Sequence, residues 1–288
     1  MKFTGSMLAL SLSASSCAET ARAYVHAVAA ATGVRTAVQA LQPASAACPT
    51  GPDVAPGAAP LPPLDLSNMR LWNYAGTWMA SNWASQGPMP YRYDHVVRSK
   101  NKTATLLLDN AGAPQLKAYG GNPSKTSGFW EADVTLPKLR DGLVVAPLWL
   151  YNEKSREEVD IELAGRNGLQ LTLHTYPGGV HTTDACKVFE GRDLSGERHR
   201  FAIALDEAAG IAEVYVDNRS VARFDRAKTK GFPSTELKPI IEMWAADPNN
   251  AGFVGWVGRW QPLAAGEKLE MTVWGYRYSP AAPRKPAS

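Results

Sequence analysis

The chain has 288 residues, 45% hydrophobic and 20% charged, the balance of a soluble protein with one sizeable globular domain. A net charge of +3, with no Lys/Arg cluster interleaved with aromatics, excludes a nucleic-acid binder on compositional grounds. No apolar run reaches the ~18 residues of a membrane span.

The first 47 residues read as an export signal or leader: Lys2 precedes the apolar run "MLALSLSASSC", and Ala-rich sequence follows up to "PASAAC". Two processing routes compete. In one, Cys17 becomes a lipid-anchored N-terminus after "ASS"; in the other, cleavage falls after Ala46, whose "ASA" has the small-x-small form. A low-complexity extension is the third alternative. Either processing route places the protein outside the cell or in its envelope. Cys17, Cys48 and Cys186 match neither a metal spacing nor a disulfide framework, and a Cys48–Cys186 bond is possible without positive support.

Residues 48–64, "CPTGPDVAPGAAPLPPL", are rich in Pro, Gly and Ala and read as an extended linker. The domain is expected over 65–280, and 281–288 as a flexible tail. Between linker and tail lie short β candidates: "TATLLLD", "FWEADVTL", "VVAPLWLY", "EVDIEL", "LQLTLHTY", "HRFAIAL", "AEVYVD", "PIIEMW" and "LEMTVWGYRY". Turn signals such as "DNAG", "GRNG", "YPGG" and "VDN" separate them. No helix longer than two turns is predicted. Strands with one apolar face each require an opposing sheet, so the predicted fold is an all-β, antiparallel two-sheet sandwich.

One segment departs from ordinary patterning. In "EEVDIELAG", Glu158, Asp160 and Glu162 alternate with Val159, Ile161 and Leu163, so three acids share one face of a strand. Like charges ~7 Å apart along a strand repel one another. The row is either a solvated acidic face or a site that uses the repulsion. Glu157 has the opposite parity and is expected to be dispensable. Two other segments are two-faced in the same way. Leu171 and Leu173 oppose His174 and Tyr176, and Ile241 and Met243 oppose Glu242 and Trp244. If these strands lie beside the acidic one, the sheet carries a polar-aromatic face suited to carbohydrate.

Glu158-Val159-Asp160-Ile161-Glu162 resembles the E-x-D-x-E signature of glycoside hydrolase family sixteen, in the form without an inserted bulge residue. Flanking stretches resemble that family in the same order: "GFWEADVTLPKLRDGLVVAPLWLY" before the motif, then "HRFAIALDEAAGIAEVYVDNRSV", "PIIEMWAAD" and "GWVGRW". Bacterial lichenases and exopolysaccharide depolymerases are similar. The resemblance implies a jelly roll with a concave cleft and a retaining mechanism. Glu158 matches the nucleophile, Glu162 the general acid/base and Asp160 the residue between them. A retaining pair needs carboxyls ~5–5.5 Å apart, and Asp160 would help keep Glu162 protonated. Trp244 and Trp256 match sugar-stacking positions, His174 and Tyr176 positions near the cleaved bond, and Trp83 a loop over the far end of the cleft. Glu242 stands where the family has a sugar-binding Asn. The family's calcium-binding Asp is replaced in "TVWGYRY", the lichenase N-terminal disulfide has no counterpart, and Leu205 stands where a Trp is usual. The expectation is a monomer acting on polysaccharide, with no cofactor and no metal.

Overall fold

The computed structural model describes residues 47–55, 60–64, 66, 70–71, 77–98, 103–119 and 124–283. They lie in one compact unit, Pro43–Ser288. The leader, Cys17, the Ala46 cleavage site and residues 284–288 fall outside the described residues.

In chain order the strands are β1 (Arg70–Leu71), β2 (Trp78–Ala80), β3 (Val96–Arg98), β4 (Ala104–Leu108), β5 (Gln115–Ala118), β6 (Gly128–Thr135), β7 (Leu143–Tyr151) and β8 (Glu158–Ala164). There follow β9 (Leu169–Thr175), β10 (Thr182–Val188), β11 (Arg198–Asp206), β12 (Ile211–Val216), β13 (Arg219–Asp225), β14 (Lys238–Ala245), the short helix α1 (Ala251–Val257) and β15 (Leu269–Ser279). They form an eight-stranded sheet, β1-β2-β5-β14-β7-β8-β9-β10, and a seven-stranded sheet, β13-β12-β11-β6-β15-β4-β3. Apart from the parallel β1–β2 pair, neighbouring strands are antiparallel. The all-β sandwich read from the sequence is the fold.

The apolar parity set of each strand builds the core. Val159, Ile161, Leu163, Leu171, Leu173, Ile241 and Met243 of the larger sheet pack with Leu106, Val134, Ile203, Val214 and Met271 of the smaller one, every one no more than 1% exposed. Burying each such side chain stabilises the sandwich by about 1.5–3 kcal/mol. Turn chemistry sets the hairpins. Asp217 (φ 52°) and Asn218 (φ 68°) form the two-residue β12–β13 connection, the left-handed pair that a type I′ turn requires.

Pro147 explains an irregularity beside the site. It lies inside β7, where a proline cannot donate a ladder hydrogen bond. Pairing with both neighbours shifts there, between Val145 and Leu148 on the β8 side and between Ala146 and Trp149 on the β14 side. The extra residue is therefore in β7. The acid strand β8 stays regular against β9 from Glu158↔His174 to Leu163↔Leu169.

The described parts of the Pro-rich segment, residues 48–55 and 60–64, dock on the domain. Ala47 bridges Lys187 beside β10, and Cys48 is bonded to Cys186 across 138 residues of sequence. The chain then crosses to the other sheet: Arg223 N donates to Pro49 O, Gly51 N to Ser220 Oγ and Val54 N to Asn218 O. Val54 buries against Phe129, Ala202 and Tyr215 on that sheet's outer face, with Ala282 beside it. Farther on, Tyr276 N donates to Pro62 O. The start of the expected tail is docked too, Ala55 N donating to Pro283 O. A disulfide closing so long a loop contributes stability of order 2–4 kcal/mol. Sequence alone gave no support for it because the partners lie on non-adjacent segments.

Candidate active site

The outer face of the eight-stranded sheet carries the acid row. Strand parity puts Glu158, Asp160 and Glu162 outward while Val159, Ile161 and Leu163 are buried. On one side β9 sets His174, Thr172 and Gln170 opposite the three acids. On the other, β7 sets Tyr151 opposite Glu158 and Trp149 opposite Asp160. β14 is not a direct neighbour of β8, as a simple adjacency would have it; β7 lies between, and Glu242 and Trp244 reach the same face one strand further out.

Electrostatics distinguish the row from an ordinary surface. Asp160 is 4% exposed, and among the described residues no Lys or Arg forms an ion pair with any of the three acids. His174 is the basic partner: its Nε2 lies 3.3 Å from Asp160 Oδ2 and 3.7 Å from Glu158 Oε1. Burial first, then the Glu242 charge, pushes Glu158 up to about 8. Burial, then Glu158 and Glu242, pushes Glu162 up to about 8 as well. Asp160 is raised strongly by burial and by its three acidic neighbours. The two glutamates are therefore raised together rather than split.

Glu242 belongs to the same electrostatic group. It is 6% exposed, and burial raises it to about 7 despite hydrogen bonds from Gln115 and Tyr91 and the nearby Lys117 charge. Gln115 Nε2 donates to Glu242 Oε2, and Ser81 Oγ donates to Gln115 Oε1 at 2.5 Å. Where a sugar-binding Asn was expected, the chain thus has a buried carboxyl inside a polar network.

The aromatic assignments change in detail. Trp244 is 4% exposed and lies beneath α1, edge-on to Phe253 at 5.4 Å and tilted to Trp256 at 6.3 Å. It is a buried floor, and the half-exposed rings are Phe253 and Trp256. Trp256 is well placed: its Nε1 donates to Gln170 Oε1 at 2.9 Å, and Gln170 pairs with Glu162. The helix that carries it forms because Asn250 caps Gly252 N and Phe253 N and Gly258, at φ 82°, ends it. Trp83 is 39% exposed on the loop after β2. That loop packs on the end of β14 at Gly87, where a Cβ would stand 1.6 Å from the Ala245 carbonyl oxygen.

His174 meets the acid row as expected, and Tyr176 sits beside it with Arg156 over its ring at 4.1 Å. Glu157 has a structural role that parity could not show. Its opposite parity does turn it away from the row, yet it is 7% exposed and accepts hydrogen bonds from Ser234 N, Ser234 Oγ and Thr235 N at 3.2, 3.1 and 2.9 Å, and from Thr235 Oγ1. It anchors the segment entering β14.

Sequence reasoning missed Trp149, Tyr151, Gln170, Thr172, Phe253 and His181. The first four follow from parity once the β7-β8-β9 order is known. His181 sits in a loop that carries no periodic signal. Glu158, Asp160 and His174 each bring one donor atom within 4.8 Å of the others, and a cation could engage that set. The chemistry proposed below uses the same groups without one.

The comparisons accord with this arrangement. The model of "Glycosyl hydrolases family 16" matches residues 85–260, which include the acid strand, β14 and α1. Among curated proteins no sequence matches. Solved structures are similar in fold: a Bacillus licheniformis β-glucanase (17% identity, covering 71% of this chain and 92% of that one, TM-score 0.57) and the catalytic domain of an endo-1,3-β-glucanase (laminarinase) from Thermotoga petrophila (17%, 71% and 91%, 0.53). Crh5 transglycosylase is also similar (19%, 73% and 86%, 0.51). A two-sheet sandwich whose larger sheet carries the acid row on its outer face, matched by the family model over most of the domain, places this chain in glycosyl hydrolase family 16.

Proposed function

We propose that the protein is a retaining endo-acting β-glycanase whose first-choice substrate is a β-1,3-1,4- or β-1,3-linked glucan. The observation that carries it is the row Glu158-Asp160-Glu162, largely buried, raised and, among the described residues, without a Lys or Arg ion pair. A purely structural row would be neutralised by cations, whereas a glycosidase needs one carboxyl to give a proton and another to take a bond.

Glu158 attacks the anomeric carbon as the glycosidic C–O bond breaks, and Glu162 protonates the leaving oxygen. Water, deprotonated by Glu162, then displaces Glu158 from the sugar. The β-configuration is kept. Asp160 and His174 beside Glu158 orient it and determine where the proton of the row resides. Trp256, Phe253 and exposed Trp83 offer rings for sugar faces. A sugar hydroxyl in place of water gives transglycosylation by the same steps, and a bacterial exopolysaccharide is the alternative substrate.

Export to the envelope or medium is part of the proposal. The Cys48–Cys186 disulfide supports it, since such bonds persist in oxidising compartments. Cys17→Ser tests the lipid anchor: release from the detergent phase is the expected outcome if Cys17 is acylated. Incubation with a panel of β-glucans and exopolysaccharides, with NMR of the earliest products, tests the chemistry. β-Anomers first are expected; α-anomers first would sink the double displacement. Saturable binding without new reducing ends would show a carbohydrate-binding sandwich instead.

A further inference from the structure

His181 lies in the loop joining β9 to β10, outside the acid row, but its ring is engaged with it. His174 Nδ1 and His181 Nε2 are 2.9 Å apart, with ring planes 5° from parallel and centroids 5.2 Å apart. A nitrogen–nitrogen distance so much shorter than the centroid distance means the rings meet edge to edge, as an N–H···N hydrogen bond requires. Tyr176 stacks on His181 at 4.9 Å, with Arg156 beyond it over the Tyr176 ring, so an exposed residue is held in one orientation. Thr183 Oγ1 approaches the same pair at the longer distances of 3.4 and 3.5 Å.

The tautomer follows. A neutral imidazole has one N–H and one lone pair. His174 Nε2 faces Glu158 and Asp160, and when these are ionised the carboxylates repel a lone pair, so its proton sits on Nε2. His174 Nδ1 is then an acceptor, and His181 must donate from its own Nε2. We propose that His181 is a positioning residue that fixes the His174 tautomer and ring, keeping an N–H turned toward Glu158 and Asp160. Its catalytic part rests on the glycosidase role proposed for that row.

The experiment uses ¹⁵N-histidine-labelled full-length protein. Long-range ¹H–¹⁵N NMR is expected to show His174 as the Nε2–H tautomer. His181→Phe keeps a ring against Tyr176 but removes the donor, and His181→Gln keeps a donor. The Phe variant is expected to lose the single tautomer and about tenfold in kcat with KM little changed, and the Gln variant to recover both. An unchanged His174 spectrum in the Phe variant overturns the proposal, as does an altered spectrum with unchanged kcat, or a Gln variant that behaves like Phe. The spectrum needs no substrate: wild-type protein inactive on every polysaccharide would count against the glycosidase proposal, while the tautomer claim stands or falls on NMR.

Discussion

The two sheets present outer faces built from the same kind of strand and put to opposite use. In β6, Glu131 and Asp133 alternate with Trp130, Ala132 and Val134, much as Glu158, Asp160 and Glu162 alternate with apolar residues in β8. On β6 the acids are neutralised. Arg277 donates to Glu131 at 2.9 and 2.6 Å, and Arg198 grips Asp133 with two 2.8 Å bonds. On β8 the basic partner is His174, no Lys or Arg among the described residues pairs with the row, and the carboxyls are raised. An acidic row with guanidinium partners is architecture; without them it stores repulsion that proton transfer can use.

The largest effect that tests this contrast is loss of chemistry on β8. Glu158→Gln and Glu162→Gln are each expected to lower kcat by about 10²–10⁴-fold or more while the protein stays folded, and Asp160→Asn by less. Reducing-end assays with circular dichroism check this, and full activity in either glutamine variant would break the comparison. On β6 the corresponding lesion should act on stability alone. Arg277→Met leaves Glu131, 1% exposed, without its main partner and is expected to cost about 3–5 kcal/mol by urea unfolding. An equal loss of kcat at temperatures where the variant is folded would argue that the two faces are coupled.

Glu157→Gln lies between the two. It keeps the shape but replaces a charged acceptor of several hydrogen bonds, so a destabilisation of about 1–3 kcal/mol is expected, with kcat changed far less than in Glu158→Gln. The smallest effect is a shift in pH dependence. Glu242 raises Glu158, Asp160 and Glu162 by its charge. In Glu242→Gln, kcat/KM profiles are therefore expected to move toward lower pH. Because Glu158 and Glu162 titrate at about 8 when folded against 4.5 ordinarily, their contribution to stability is present below about pH 4.5 and lost as pH rises through about 8. Glu242→Gln should flatten that decline, which thermal melts across the range will show; an unaltered slope would mean that Glu242 does not govern the row.

Local pattern sufficed wherever a strand's own parity carried the information. The sandwich, the outward acids and the inward Leu171, Leu173, Ile241 and Met243 all followed from a period of two, since alternate side chains of one strand must point to opposite faces. Parity could also turn Glu157 away from the row. It could not show that Ser234 and Thr235, far along the chain, would bury it in hydrogen bonds. Trp244 fell on the expected face, yet the helix that hides its ring comes from a stretch read only for its tryptophans.

The sequence by itself thus determined which side chains share a face and which family the chain resembles, because these depend on residues a few positions apart. Tertiary structure decided everything that depends on which segments meet. It placed β7 between β8 and β14, closed Cys48 on Cys186, laid the Pro-rich segment across the smaller sheet and brought His181 to His174. It also decided that the acids of β6 meet arginines while those of β8, among the described residues, do not. The physical reason is that a carboxyl's charge state is set by burial and by groups within a few ångströms, and those come from strands that no spacing along the chain reveals.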